Sequence, residues 1–164
     1  MSSSVRVALL FPFLLAAAGM ARADDQSPAP ADPAVQAKLD ARGFHYEVDA
    51  DGDYKLIYSF DKEQRTQILF VGGRTEELGG MKVREVFSPA ARLRDGITGE
   101  VALELLADNR AKKLGAWEIN GEILYFVAKL SEDIGAEDLE TAMDLVASLA
   151  DDLEMRFSGD RDEL

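Results

Sequence analysis

The sequence contains no cysteine and only one histidine, His45. The first absence excludes disulfides, thiolate zinc sites, a thiol nucleophile and a lipid attached through cysteine. The second excludes a histidine-rich metal centre. Positive charge is also scarce: 18 lysines and arginines face 31 aspartates and glutamates, a net charge of −13 over 164 residues. Such an acidic surface repels phosphate backbones and anionic headgroups, so neither nucleic acid nor a stable membrane attachment is expected. The length suits one domain with one hydrophobic core.

The apolar run from Val7 to Met20 holds 14 residues with Pro12 inside it, short of the roughly 20 that span a bilayer. It follows the polar stretch Met1 to Arg6 and precedes Ala21-Arg22-Ala23, small residues at the two positions a signal peptidase reads. Residues 1–23 therefore read as a signal peptide cut between Ala23 and Asp24, with a retained anchor as the alternative. Cleavage removes Arg6 and Arg22, which leaves 141 residues and deepens the charge from −13 to −15. Residues 24–32 (DDQSPAPAD) are a Pro, Ala and acid leader without apolar periodicity.

From Asp32 the pattern becomes that of a folded domain, expected over residues 33–157 with an acidic tail at 158–164. Asp32 is a helix N-cap with Pro33 at the first helical position, and Gly43 stops a helix from Pro33 to about Arg42. Phe44, Tyr46 and Val48 alternate with polar residues, and so do Tyr54, Leu56, Tyr58 and Phe60, which predicts a hairpin across Asp49 to Asp53. Thr66 to Val71 is apolar on both faces, as in an interior strand. A loose loop is expected from Gly72-Gly73 to Gly79-Gly80, then a strand from Met81 to Phe87 ended by Ser88-Pro89.

Thr98 then caps a helix to about Lys113 with Val101, Ala102, Leu105, Leu106 and Ala111 on one face. Asn120-Gly121 fills a two-residue hairpin turn that sets Trp117 opposite Leu124, and the following strand to Leu130 is again apolar on both faces. The last helix, about Ala136 to Glu154, carries Leu139, Ala142, Met143, Val146, Leu149, Ala150 and Leu153 on one stripe. Its other face, which includes Glu137, Asp144 and Asp151, is expected to stand in water. The order α-β-β-β-β-α-β-β-α predicts a two-layer α+β domain with helices on one face of an antiparallel sheet.

Leu105-Leu106-Ala107-Asp108-Asn109, Leu114-Gly115-Ala116-Trp117-Glu118 and Ala150-Asp151-Asp152-Leu153-Glu154 before Gly159-Asp160 together resemble the YbjN family. The resemblance runs from about Val35 to Asp160. It implies a fold like that of the class I type III secretion chaperones and a protein-binding or regulatory role. With the signal peptide it implies an exported bacterial member, periplasmic or secreted.

Each candidate site has a structural reading beside a chemical one. DADGD (Asp49 to Asp53) begins like a calcium loop, but the sixth and twelfth positions hold Tyr54 and Phe60, not Gly and Glu, so a turn is expected. The glycine pairs around Arg74 lack the phosphate-loop spacing. His45 lies in a strand with no nearby serine. A hydrolase would need two carboxylates converging in a cleft, and no spacing points to one. Trp117 is either core or a partner-binding anchor. Asn109, near the apolar face of its helix, is either a cap to a neighbouring loop or an interface residue. Arg161-Asp162-Glu163-Leu164 approximates an endoplasmic-reticulum retention signal and reads as the end of an acid run. The expected function is a non-catalytic protein- or peptide-binding module, with no cofactor or metal and a possible homodimer through apolar surface on the sheet or second helix. A small-molecule or lipid carrier with an apolar pocket between sheet and helices is the alternative.

Overall fold

The computed structural model describes residues 30–60, 65–95 and 97–158, so the signal peptide with Ala23 and Asp24 and the final tetrapeptide lie outside them. The elements are α1 (Pro33–Ala41), β1 (Glu47–Val48), β2 (Tyr54–Phe60), β3 (Arg65–Val71), β4 (Glu76–Leu78), β5 (Met81–Arg92), α2 (Gly99–Asn109), β6 (Ala116–Asn120), β7 (Ile123–Ser131) and α3 (Ala136–Ser158). A short 3₁₀ turn, Leu93–Asp95, follows β5. The strands form one antiparallel sheet in the order β1-β2-β3-β5-β7-β6, with β4 also pairing β5. This is the expected two-layer α+β domain. The meander is followed by a crossover through α2 that puts β7 inside the sheet and β6 at its edge.

Strand alternation sends Tyr54, Leu56, Leu69, Val71, Val86, Leu124, Phe126 and Ala128 to one face, where all are buried. α3 packs across β3, β5 and β7 there. Its 3.6-residue stripe, Leu139, Ala142, Met143, Val146, Ala150 and Leu153, is buried as the periodicity predicts. The helix runs one turn past the expected end, to Ser158. Asp32 caps α1 through Oδ1 to Ala34 N at 2.8 Å, accepts at its carbonyl from Tyr54 Oη at 2.8 Å, and pairs with the buried Arg84. With Ala31 packed on the core, the folded unit begins before Pro33.

Several expectations are corrected. The strand read from Phe44 to Val48 shrinks to Glu47–Val48, because Phe44 N bonds back to Leu39 O and the Phe44 and Tyr46 rings pack on Tyr58 and Tyr54 from a loop. β5 does not end at Ser88-Pro89 but continues to Arg92 with a register shift between Pro89 and Ala91. Gln67 Nε2 donates to Pro89 O at 2.6 Å and to Ser88 Oγ at 2.8 Å, and Ser88 Oγ donates to Ile68 O at 2.6 Å. The Pro89 carbonyl, and with it the place of the missing N–H, therefore faces β3, where side chains have taken over the ladder, and its pairing with β7 survives.

The loop between the glycine pairs is not loose. Gly72 and Gly73 are buried, Gly79-Gly80 turns the β4–β5 hairpin, and a Cβ on Gly73 would stand 1.9 Å from Gly52 O. Glycine is required at position 73 because two backbones meet there. α2 stops at Asn109 instead of Lys113, with Leu105 inward and Leu106 exposed. In the second hairpin Gly121, at φ 60°, opens the turn while Asn120 stays in the strand opposite Ile123. Trp117 consequently faces Phe126 and not Leu124, one pair further along the same face.

Asp151 is not in water. It is buried on α3 with Glu154, and Arg65 of β3 reaches both, at 2.9 Å and 3.6 Å. The stripe of α3 that faces β3 is thus ionic at its C-terminal end, where the helix leaves the apolar centre of the sheet.

Candidate functional site

The three α-helices of the described residues occupy one face of the sheet. The other face still carries apolar side chains, because the interior strands are apolar on both sides. Alternation places Ile57 of β2, Ile68 and Phe70 of β3, Phe87 of β5, and Tyr125 and Val127 of β7 on this helix-free side. Ile57 stands opposite Ile68, and Phe70 opposite Phe87. The Phe70 and Phe87 rings stack at 5.0 Å with 10° between planes, and Tyr125 meets Phe87 edge-on at 5.9 Å. Three strands thus contribute a continuous aromatic row, which fixes each ring against its neighbour. The β4–β5 hairpin extends it: Leu78 and Met81 face each other and are 54% and 65% exposed, against 60% for Ile57. Scattered exposed leucines are ordinary, whereas a contiguous apolar row on an open sheet face is the kind of patch that binding surfaces use.

Charge borders this row. At the hairpin end a depression of about 250 Å³ has Phe87, Val83 and Gly72 in its lining, with Asp51, Asp53, Glu76 and Glu85 against Arg74. Burial raises the Asp53 carboxyl above its ordinary value, and Asp49 and Asp51 push the same way against the Gly73 N–H that lowers it. Across the β7 side, Lys129 is shared between Glu118 and, at 3.7 Å, Glu85. The Glu118 hydrogen bond raises the Lys129 ammonium above its ordinary value and outweighs desolvation, so the cation stays charged.

The two residues singled out as partner-binding candidates, Trp117 and Asn109, do come together, but on the covered side and at the sheet edge. Trp117 is buried and meets Phe126 edge-on at 4.8 Å. Asn109, at the end of α2, accepts from Trp117 N at 2.7 Å and donates to Trp117 O at 3.3 Å. The carboxamide makes the pair of bonds that a further strand's peptide groups would make, and so seals the β6 edge at that residue. Asp108, present in the sequence only as part of the family-like segment and not as a candidate site, accepts from Trp117 Nε1 at 2.9 Å. That bond and Lys112 hold the Asp108 carboxyl below its ordinary value against desolvation.

The remaining candidates resolve into structure. Asp49 Oδ1 accepts from Asp51 N and Asp53 N, both at 2.9 Å, and Asp53 Oδ1 from Gly73 N at 2.8 Å, so these carboxylates cap a turn. Among the described residues no group of three or more His, Cys, Asp or Glu is placed to hold a metal ion. His45 is exposed beside Tyr46, Glu47, Lys55 and Ile57 in a shallow depression. Two carboxylates do converge, Asp151 and Glu154, but on a guanidinium in the interior layer. Among the described residues no helix is long and apolar enough to cross a membrane.

Apolar surface on the sheet is expected from the sequence, but the residues of this row are not singled out there, although their signal is present. Strands apolar on both faces in a domain with helices on one face leave one apolar face over. Compared with protein families and with curated proteins, the chain matches no family model and no curated sequence.

Proposed function

We propose that this chain is a non-catalytic protein- or peptide-binding module, chaperone-like or regulatory, that works outside the cytoplasm of a bacterium and binds its partner on the helix-free face of the sheet. The observation that carries the reading is the apolar row from Ile57 and Ile68 through Phe70 and Phe87 to Tyr125, left open by helices that all lie on the other side. The space between sheet and helices is filled by Tyr54, Leu56, Leu69, Phe126, Leu139 and Met143, each 2% exposed or less, which favours a surface binder over a carrier with an internal pocket. The resemblance to the YbjN family, carried by the Asp108-Asn109 and Trp117 segments and the end of α3, belongs to the same proposal. So does self-association through α2, where Leu103 and Leu106 are 68% and 63% exposed. A monomer by light scattering across micromolar concentrations counts against that last element.

The test is site-specific photocrosslinking in cells. A photoreactive residue at Tyr125 should give a discrete adduct, and the same group at Ser148, exposed on α3, should give none. Equal labelling from both positions, or none from Tyr125, sinks the assignment of the binding face.

A further inference from the structure

The helix-free face is apolar along its row and acidic at its border, and these two properties together select among occupants. Around the hairpin-end depression four carboxylates stand against the single guanidinium of Arg74. Beside Tyr125 and Val127, Glu85 and Glu118 share the single ammonium of Lys129. Two further cations lie on this face, Lys55 opposite Phe70 with Glu47 across from it on β1, and Arg92 at the far end beside Glu122. The chain as a whole carries −13. A second copy of this chain would bring its own acids against these, and an anionic lipid surface or a nucleic acid would be repelled. A segment that presents apolar side chains to Phe70, Phe87 and Tyr125 and cationic ones to Glu76, Glu85 and Glu118 would satisfy both parts. Aromatic faces also attract lysine and arginine directly.

Resting on the reading of this face as the binding surface, we infer that its occupant is a cationic amphipathic polypeptide segment, one that alternates lysine or arginine with large apolar residues. The acids at the hairpin end orient it, with its basic residues at the Phe87 and Val83 end of the row and away from Arg92.

Three synthetic peptides of equal length, alternating leucine with lysine, glutamine or glutamate, separate the possibilities when titrated calorimetrically against the full chain. The lysine peptide should bind about tenfold more tightly than the glutamine peptide at low salt, the advantage should shrink as salt is raised, and the glutamate peptide should not bind. Glu76→Gln with Glu85→Gln should abolish the lysine preference and leave the glutamine peptide unaffected. Glu137→Gln with Asp138→Asn, which removes equal charge from the exposed start of α3, should change neither. Phe87→Ala with Tyr125→Ala, checked for retained fold by circular dichroism, should weaken both peptides. Equal affinity for lysine and glutamine peptides that is lost in the aromatic variant overturns the cationic partner and keeps the binding face. Binding that survives the aromatic variant overturns both. A dimer that the aromatic variant dissolves, with no peptide bound, makes the occupant a second copy and also overturns the inference.

Discussion

The two faces of this sheet come from the same strands in alternation, yet they are finished differently. On the covered face Tyr54, Leu69, Val86 and Phe126 are fully buried under α3, and the three helices close that side. On the helix-free face Ile68, Phe70, Phe87 and Tyr125 are only half-buried, and their main neighbours are one another. A strand cannot make one of its faces apolar for folding without making the other available for something, and here the second face is apolar too. Residues on the first face hold the fold, and residues on the second are spared that duty.

The difference can be broken or sharpened experimentally. The largest effect is expected in the interior, where Phe126→Ala should destabilise the protein by about 3–5 kcal/mol in urea denaturation, whereas Phe87→Ala should cost about 1 kcal/mol, the loss of one stack and one edge contact. Equal costs would mean that the open face belongs to the core. Next comes the ionic end of the covered face. Arg65→Ala leaves the buried Asp151 and Glu154 without the guanidinium and should cost about 3 kcal/mol, while the triple change Arg65→Met, Asp151→Leu, Glu154→Leu should recover most of it. A triple variant as weak as the single one would show that charge there contributes more than packing.

Asn109→Ala should cost about 1–2 kcal/mol and, by opening the β6 edge at Trp117, raise association in sedimentation. A stable, monodisperse variant would argue against edge sealing. The Asp32 carboxyl is desolvated, but the Ala34 N–H and Arg84 hold its pKa below the ordinary 3.8. A depressed carboxylate contributes stability that is present above the unfolded value and lost as pH falls through the folded one. Acid titration of the wild type should therefore lose a component below about pH 4 that Asp32→Asn lacks. The smallest effect is at the border of the open face. Asp53→Asn keeps an acceptor for Gly73 N and removes a charge that burial disfavours, so at neutral pH it should be neutral or slightly stabilising.

Much of the covered face was legible in advance. The α3 stripe, the Thr98 and Asp32 caps and the alternation of β2 are periodic, local signals, and both capping side chains bond as such residues do, to Val101 N and Ala34 N. Less legible was whatever depends on which element is near which. Nothing at Asp151 announces an arginine 86 positions earlier in the chain. Gly73 reads as a flexible loop until Gly52 is laid against it. Asn109 stands out in the sequence for its polar amide on an apolar stretch, but its partner is visible only once the β6 edge is in place. The candidate site was the least legible part, because an apolar strand position looks the same whether a helix covers it or not.

The clamp on Trp117 has an optical consequence. It is the only tryptophan in the chain, so under excitation at the red edge of indole absorption, where tyrosine hardly absorbs, its indole supplies nearly all the protein's emission. The indole is buried against Phe126, its N–H is held by Asp108, and it lies on the side of the sheet away from the aromatic row. Its emission colour therefore reports whether α2 still sits on β6 and should barely register a ligand on the opposite face. One sample can thus be watched for folding in emission while occupancy is read from a label on the ligand.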